Sequence, residues 1–225
     1  AKMAVTNLIN LNQIKQELVV FLRNSDIIST SDRGVTTSTD EGIGTGDNVE
    51  VDFALAESNA KNVRNVKLDG SAQTFGTDYT VDYSTYTVTF SSAPGSGVAV
   101  TATYDYGSGD SIYPDFPRTD LGITSYPRMA VAVTSVATSE MGIGGAANIN
   151  DILLSVYVYA NGMAAVDDYI KDARSAFLQA KKDFYYLKFV TPVTQSPLIN
   201  EPARGDKIYT RSLDIRALFN VEDIS

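Results

Sequence analysis

Residues 76–107, GTDYTVDYSTYTVTFSSAPGSGVAVTATYDYG, read as strand, turn, strand, turn, strand. Tyr, Val, Thr and Phe dominate the short runs 79–83, 87–90 and 97–107, as a pleated, half-buried surface favours. SSAPGSG at 91–97 supplies a turn. Upstream, VEVDFAL (49–55) alternates, placing Val49, Val51, Phe53 and Leu55 on one face. NVRNVKLDG (62–70) follows and ends on Asp69–Gly70, a hairpin signal. Five or so short strands within about 60 residues predict a small β-sandwich or barrel spanning 46–107.

The flanking chain has a different rhythm. In TNLINLNQIKQELVVFLR (6–23), Leu8, Leu11, Ile14, Leu18 and Leu22 recur at spacings of three and four. That spacing predicts one apolar helix face, with Thr6 or Asn7 as N-cap. Residues 24–47 are rich in Ser, Thr, Asp and Gly and read as linker, with room for a short strand at their start. Residues 107–127, rich in Gly and Pro, read as a second linker. The two linkers bracket the β unit, as an insertion in a surface loop would.

Beyond them, RMAVAVTSV (128–136) and ILLSVYVYA (152–160) predict two antiparallel strands joined by a glycine-containing loop. Asn161–Gly162 then turns the chain into a helix at 163–184. Val166, Tyr169, Ile170, Ala173, Phe177 and Leu178 form its apolar face. Asp167 and Asp168 sit near its start and Lys181 and Lys182 near its end, which complements the helix dipole. A strand starts at Tyr186 and breaks into a Pro-rich loop. The last strand (207–221) sets Tyr209, Arg211, Leu213, Ile215, Ala217 and Phe219 on one face. The expected fold is α+β: an antiparallel sheet flanked by two helices, formed by 1–45 and 108–225, with the small all-β domain 46–107 inserted.

Composition removes several chemistries. The 225 residues include no Cys and no His. Disulfides, thiolate chemistry, histidine triads and the commonest transition-metal ligand are therefore absent from this chain. The longest apolar run, LVVFL at 18–22, falls far short of a membrane-spanning helix. AKMAVTNLIN lacks a basic region followed by an apolar stretch, so no signal peptide is expected. Net charge is −9, which disfavours broad attraction to DNA. The acid is mostly Asp and Lys is sparse, a balance suited to a salt-rich milieu, as in a halophilic source.

Candidate sites are weak. GIGTGD (42–47) and GIGG (142–145) lack the strand-before, helix-after context of a nucleotide loop. Asp167 and Asp168 point about 100° apart on a helix and cannot face each other as a catalytic pair. Asp105, Asp110, Asp115 and Asp120 could bind a cation, but without EF-hand spacing. The tyrosines of 79–106 could form a sugar-stacking or partner-binding face, although strand packing is their commoner use. Arg23, Arg33, Arg118 and Arg128 are scattered and read as ion-pair residues. No cofactor or metal is expected, and an enzyme is disfavoured.

The element order resembles that of tail terminator proteins of long-tailed viruses. The features that carry it are the first helix (6–23), YPRMAVAVTSV (126–136) leading a hairpin, ILLSVYVYA (152–160), the helix 163–184 and RSLDIRALF (211–219). The β unit is similar to modules of tail and virion proteins, with its G-x-D-Y turn, A-P-x-x-G turn and final Y-x-Y-G. The resemblance implies a homohexameric ring that caps the tail tube protein and joins it to the head–tail connector, at the head–tail junction of the virion. DNA would be passing cargo only, and no membrane would be involved. It implies subunit or tail contacts at Arg128, Arg211, Arg216, Tyr157 and Tyr159. The alternatives are another neck or tail-tube component, such as a head-completion protein, or a carbohydrate- or surface-binding module carried by the β unit.

Overall fold

The computed structural model describes residues 11–115, 126–141, 147–180, 184–203 and 206–222. The fold is α+β with predominantly antiparallel sheets. Contacts divide the chain into two compact units, Ile28–Asp110 and Ala1–Ile27 with Ser111–Ser225.

The second of these begins with helix α1 (Leu11–Asn24), which buries Ile14, Leu18, Val19 and Leu22. Residues 6–10 of the expected helix lie outside the described residues. Asp26 adopts a left-handed φ of 49° just past the helix. Arg23, in the last turn, is buried and donates to the Ile112 carbonyl at 2.9 Å.

Strand β8 (Ile112–Pro114) runs parallel to β9 (Arg128–Met141). β9 pairs antiparallel with β10 (Ala147–Ala160), and β10 with β13 (Asp206–Glu222). β11 (Lys188–Gln195) and β12 (Ile199–Ala203) both pair with β13, giving the order β11-β13-β10-β9-β8 with β12 off that path. The glycine-containing stretch read as a loop is largely strand: β9 continues to Met141 and β10 starts at Ala147.

Helix α3 (Met163–Gln179) follows the Asn161–Gly162 turn and buries Val166, Ile170, Ala173 and Phe177. Leu178, expected on that face, is exposed, and the helix stops at Gln179 rather than continuing to 184. Lys181 and Lys182 lie outside the described residues. Phe21 of α1 meets Phe177 of α3, ring centroids 4.9 Å apart, so both helices lie on one face of the sheet. That face is apolar: Met129, Val131, Ile152, Leu154, Val156, Val158, Leu213, Ile215 and Ala217 are all fully buried or nearly so. The Phe219 side chain lies outside the description.

The unit Ile28–Asp110 opens with a single helical turn, α2 (Thr30–Arg33), capped by Ser29, whose hydroxyl accepts from the Asp32 N–H. Gly34, at φ 65°, ends it. One sheet has the order β1 (Thr36–Thr45), β7 (Ala99–Tyr106), β3 (Ala60–Leu68), β4 (Ser71–Ala72). The other has β2 (Asp52–Ala54), β6 (Thr87–Phe90), β5 (Tyr79–Asp82). Side chains from both sheets, among them Phe53, Val66, Val88, Phe90, Val100 and Tyr104, form one buried cluster.

Two features here differ from expectation. Residues 36–45, read as linker, are strand β1, an edge strand exposed on both faces for much of its length. The 49–55 alternation yields only a three-residue strand, with Phe53 and Leu55 buried and Val49 exposed. The Asp69–Gly70 turn is as expected: both residues have positive φ, 48° and 81°, and Leu68 pairs with Ser71 across it.

Candidate functional site

The register of the large sheet sorts side chains between its two faces. Apolar residues at even positions of β10 and odd positions of β13 meet the helices. Their alternates form a second, more polar face. Across it run successive rows: Arg128, Tyr159 and Thr210; Ala130, Tyr157 and Ser212; then Ser155 and Asp214; then Leu153 and Arg216.

Four of the expected contact residues, Arg128, Tyr157, Tyr159 and Arg216, therefore lie on this one face. Tyr157 and Tyr159 are half-buried. Arg128 is buried and its guanidinium stacks over the Tyr126 ring, 4.7 Å from the centroid. Arg216 is exposed and clamps Asp151 through two nitrogens; its Nε lies 2.9 Å from both carboxylate oxygens. That hydrogen bond and charge hold the Asp151 carboxyl below the ordinary carboxylate range. Arg211 is the exception. It lies on the helix face and pairs with Asp167 of α3 at 3.0 Å.

A hydrogen-bonded row crosses four strands of the same face. Thr194 of β11 donates to Asp214 of β13 at 2.6 Å, and Ser155 of β10 donates to the other Asp214 oxygen at 2.7 Å. Thr134 of β9 meets the Ser155 hydroxyl at 2.9 Å. Sequence reading followed the apolar alternation and passed over this row. Its signal was present in Ser212, Asp214 and Arg216, interleaved with Leu213, Ile215 and Ala217.

The sheet overruns its helices. β9 and β10 have 14 residues each and β13 has 17, so they extend about 45–55 Å. α1 and α3, with 14 and 17 residues, extend only about 21–26 Å. From Thr134 to Ser139, consecutive residues of β9 are all exposed, so neither face is covered there. At the far edge, β11 and β12 expose Phe189, Val193 and Ile199.

The β-rich unit holds a buried ionic cluster instead of a reactive one. Asp105 accepts from Arg33 at 2.7 Å, from both Arg64 nitrogens at 2.9 Å and from Thr37 at 2.7 Å. Burial alone would push the Asp105 carboxyl up, but the Arg64 and Arg33 guanidiniums and the Thr37 hydroxyl outweigh it and hold it low. Tyr104 donates to Glu41 and accepts from the Glu57 N–H, and burial pushes its phenol up to about 12. Of the four aspartates considered for a cation, Asp105 is saturated by these donors and Asp115 pairs with Lys15 at 2.6 Å. Asp120 lies outside the described residues. Among the described residues no three acidic side chains converge as a metal site would require, and no helix is long and apolar enough to cross a membrane.

No protein family model matches this chain, and no curated protein matches it.

Proposed function

We propose that this chain is a structural, self-assembling virion protein: a tail terminator whose copies close into a six-membered ring between the tail tube and the head connector. The observation that carries the reading is the length of β9, β10 and β13, which exceeds that of the described helices, together with β9 itself, exposed on successive residues from Thr134 to Ser139. A strand end of that length exposed on successive residues leaves its side chains and edge to neighbours. Ring closure needs two different surfaces on each subunit, so that each copy meets the next head-to-tail. The part of the polar face carrying half-buried Tyr157 and Tyr159 and exposed Arg216, and the edge exposing Phe189, Val193 and Ile199, serve as these two surfaces, while Arg128 is buried and is not among the exposed contacts.

In this reading the unit Ile28–Asp110 is a virion-type β module inserted in a loop of the ring-forming unit, and it takes no part in ring closure. The excess of acidic residues keeps the assembly from holding DNA that passes through it. The reading is tested by electron micrographs of the purified protein, alone and mixed with tail tubes. Single six-fold rings, free or seated on tube ends, are expected. Open-ended tubes of the protein itself would make it a tube subunit, and a protein that assembles in neither sample would contradict both roles.

A further inference from the structure

We infer that the outer edge of β9 pairs with the same edge of a second copy, antiparallel and about a two-fold axis near Val136. Partner β8 covers β9 only along Met129–Val131, and among the described residues no strand borders β9 beyond that point. An unpaired strand edge is a template for another strand, and proteins usually guard such edges with charge, proline, bulges or short length.

The other sheet edges among the described residues carry those guards. β11 has Lys188, Pro192, a left-handed Phe189 and two register shifts against β13. β1 has Glu41, a left-handed Asp40 and two register shifts. β12 contains Glu201 and Pro202, while β2, β4, β5 and β8 have four residues or fewer. β9 differs. From Met129 to Ser139, MAVAVTSVATS, it has neither charge nor proline, and one register shift against β10 is its single irregularity.

These features select the occupant. Continuation of the sheet through β11 of another copy is spoiled by Pro192 and the bulges. Among the described residues, the long edge that matches β9 in length and neutrality is β9 itself. Antiparallel self-pairing centred on Val136 sets no charges opposite each other within 133–139 and lays Val136, an exposed apolar side chain, against its own copy. The contact is isologous, so it goes beyond the ring, whose contacts are heterologous.

The full chain lacks cysteine, so one introduced cysteine reports without ambiguity. Val136→Cys is compared under mild oxidation with Thr80→Cys, an exposed strand position on β5 that serves as a collision control. The expected result is intermolecular disulfide formation at least about tenfold faster at 136 than at 80. Ser135→Lys with Ala137→Lys, both at exposed positions, is expected to weaken the dimer at least about tenfold in sedimentation. Equal cross-linking rates at 136 and 80 would overturn the pairing, even if the lysine variant failed to fold. Six-fold rings without a 136–136 link would overturn this inference and leave the ring standing. A 136–136 link without rings would do the reverse.

Discussion

Asp105 is the residue on which the β-rich unit turns. Its carboxylate joins α2 through Arg33, β1 through Thr37 and β3 through Arg64, while it sits on β7. Its side chain and that of Arg33 are both 0% exposed. Removing its charge strands two guanidiniums, one of them fully buried. Asp105→Asn should therefore lower stability by about 3–5 kcal/mol in urea denaturation. The pH dependence follows from the same geometry. The folded carboxyl titrates below its ordinary value of 3.8. Its contribution is therefore complete above 3.8 and is lost as pH falls through the lower, folded value. Acid unfolding of the variant should lack that part of the slope. Sequence reading treated Asp105 as a cation candidate, because a carboxylate near other aspartates looks the same whether its partner is a metal or two arginines 41 and 72 residues away. Neither Arg33 nor Arg64 gives a local sign of that partnership. Arg211 shows the same limit from the other side: it shares the apolar parity of β13, and α3 supplies Asp167 to accept it there.

At the scale of elements, legibility followed the contrast between faces. β5, β6, β7, β10 and β13 each have one apolar, buried parity, and period-two alternation marks it in the sequence. α1 and α3 likewise show their buried stripes. Leu18 of α1 is fully buried, and Leu18→Ala should cost about 2–5 kcal/mol in chemical denaturation. The β3–β4 turn was legible for a backbone reason, since Asp69 and Gly70 both need positive φ. Gly70→Ala should cost about 1 kcal/mol, measured the same way. β1 was hidden because TTSTDEGIGT has no buried face to alternate with. Its place in the sheet is decided by β7, which supplies the pairing through two register shifts. The outer part of β9 was hidden for a related reason: its Ser and Thr look like loop where successive residues are exposed. The polar row of Thr194, Asp214, Ser155 and Thr134 joins four strands side to side, and only the strand register brings its four members into line.

For the whole molecule, charge is divided unevenly. Ile28–Asp110 contains twelve acidic and four basic residues, a net −8, whereas the remaining residues contain fifteen and fourteen, a net −1. Two of the four basic residues, Arg33 and Arg64, are committed to Asp105. Self-repulsion is therefore concentrated in the β-rich unit and is screened by salt. Lowering the salt from about 1 M to about 0.1 M lengthens the Debye length from about 3 to 10 Å. Hydrogen exchange should then accelerate in β3 and β7 by an amount on the order of 1 kcal/mol, with less change in β10 and the central part of β13. Equal salt responses in the two units would contradict this. The sequence carried the total charge and the α+β class, but the proposed assembly rests on surfaces that only pairing and burial reveal: strands longer than the described helices, a polar sheet face and, among the described residues, one edge without charge or proline. In the proposed function the long strands and the polar face build a closed ring, and the β9 edge joins copies beyond it. Native mass spectrometry of the full chain, at rising concentration and in volatile salt, tests it most directly. The account predicts a discrete species of six copies, or twelve where β9 edges pair, with no open-ended series. A monomer at every concentration, or an unbroken ladder of masses, would contradict it.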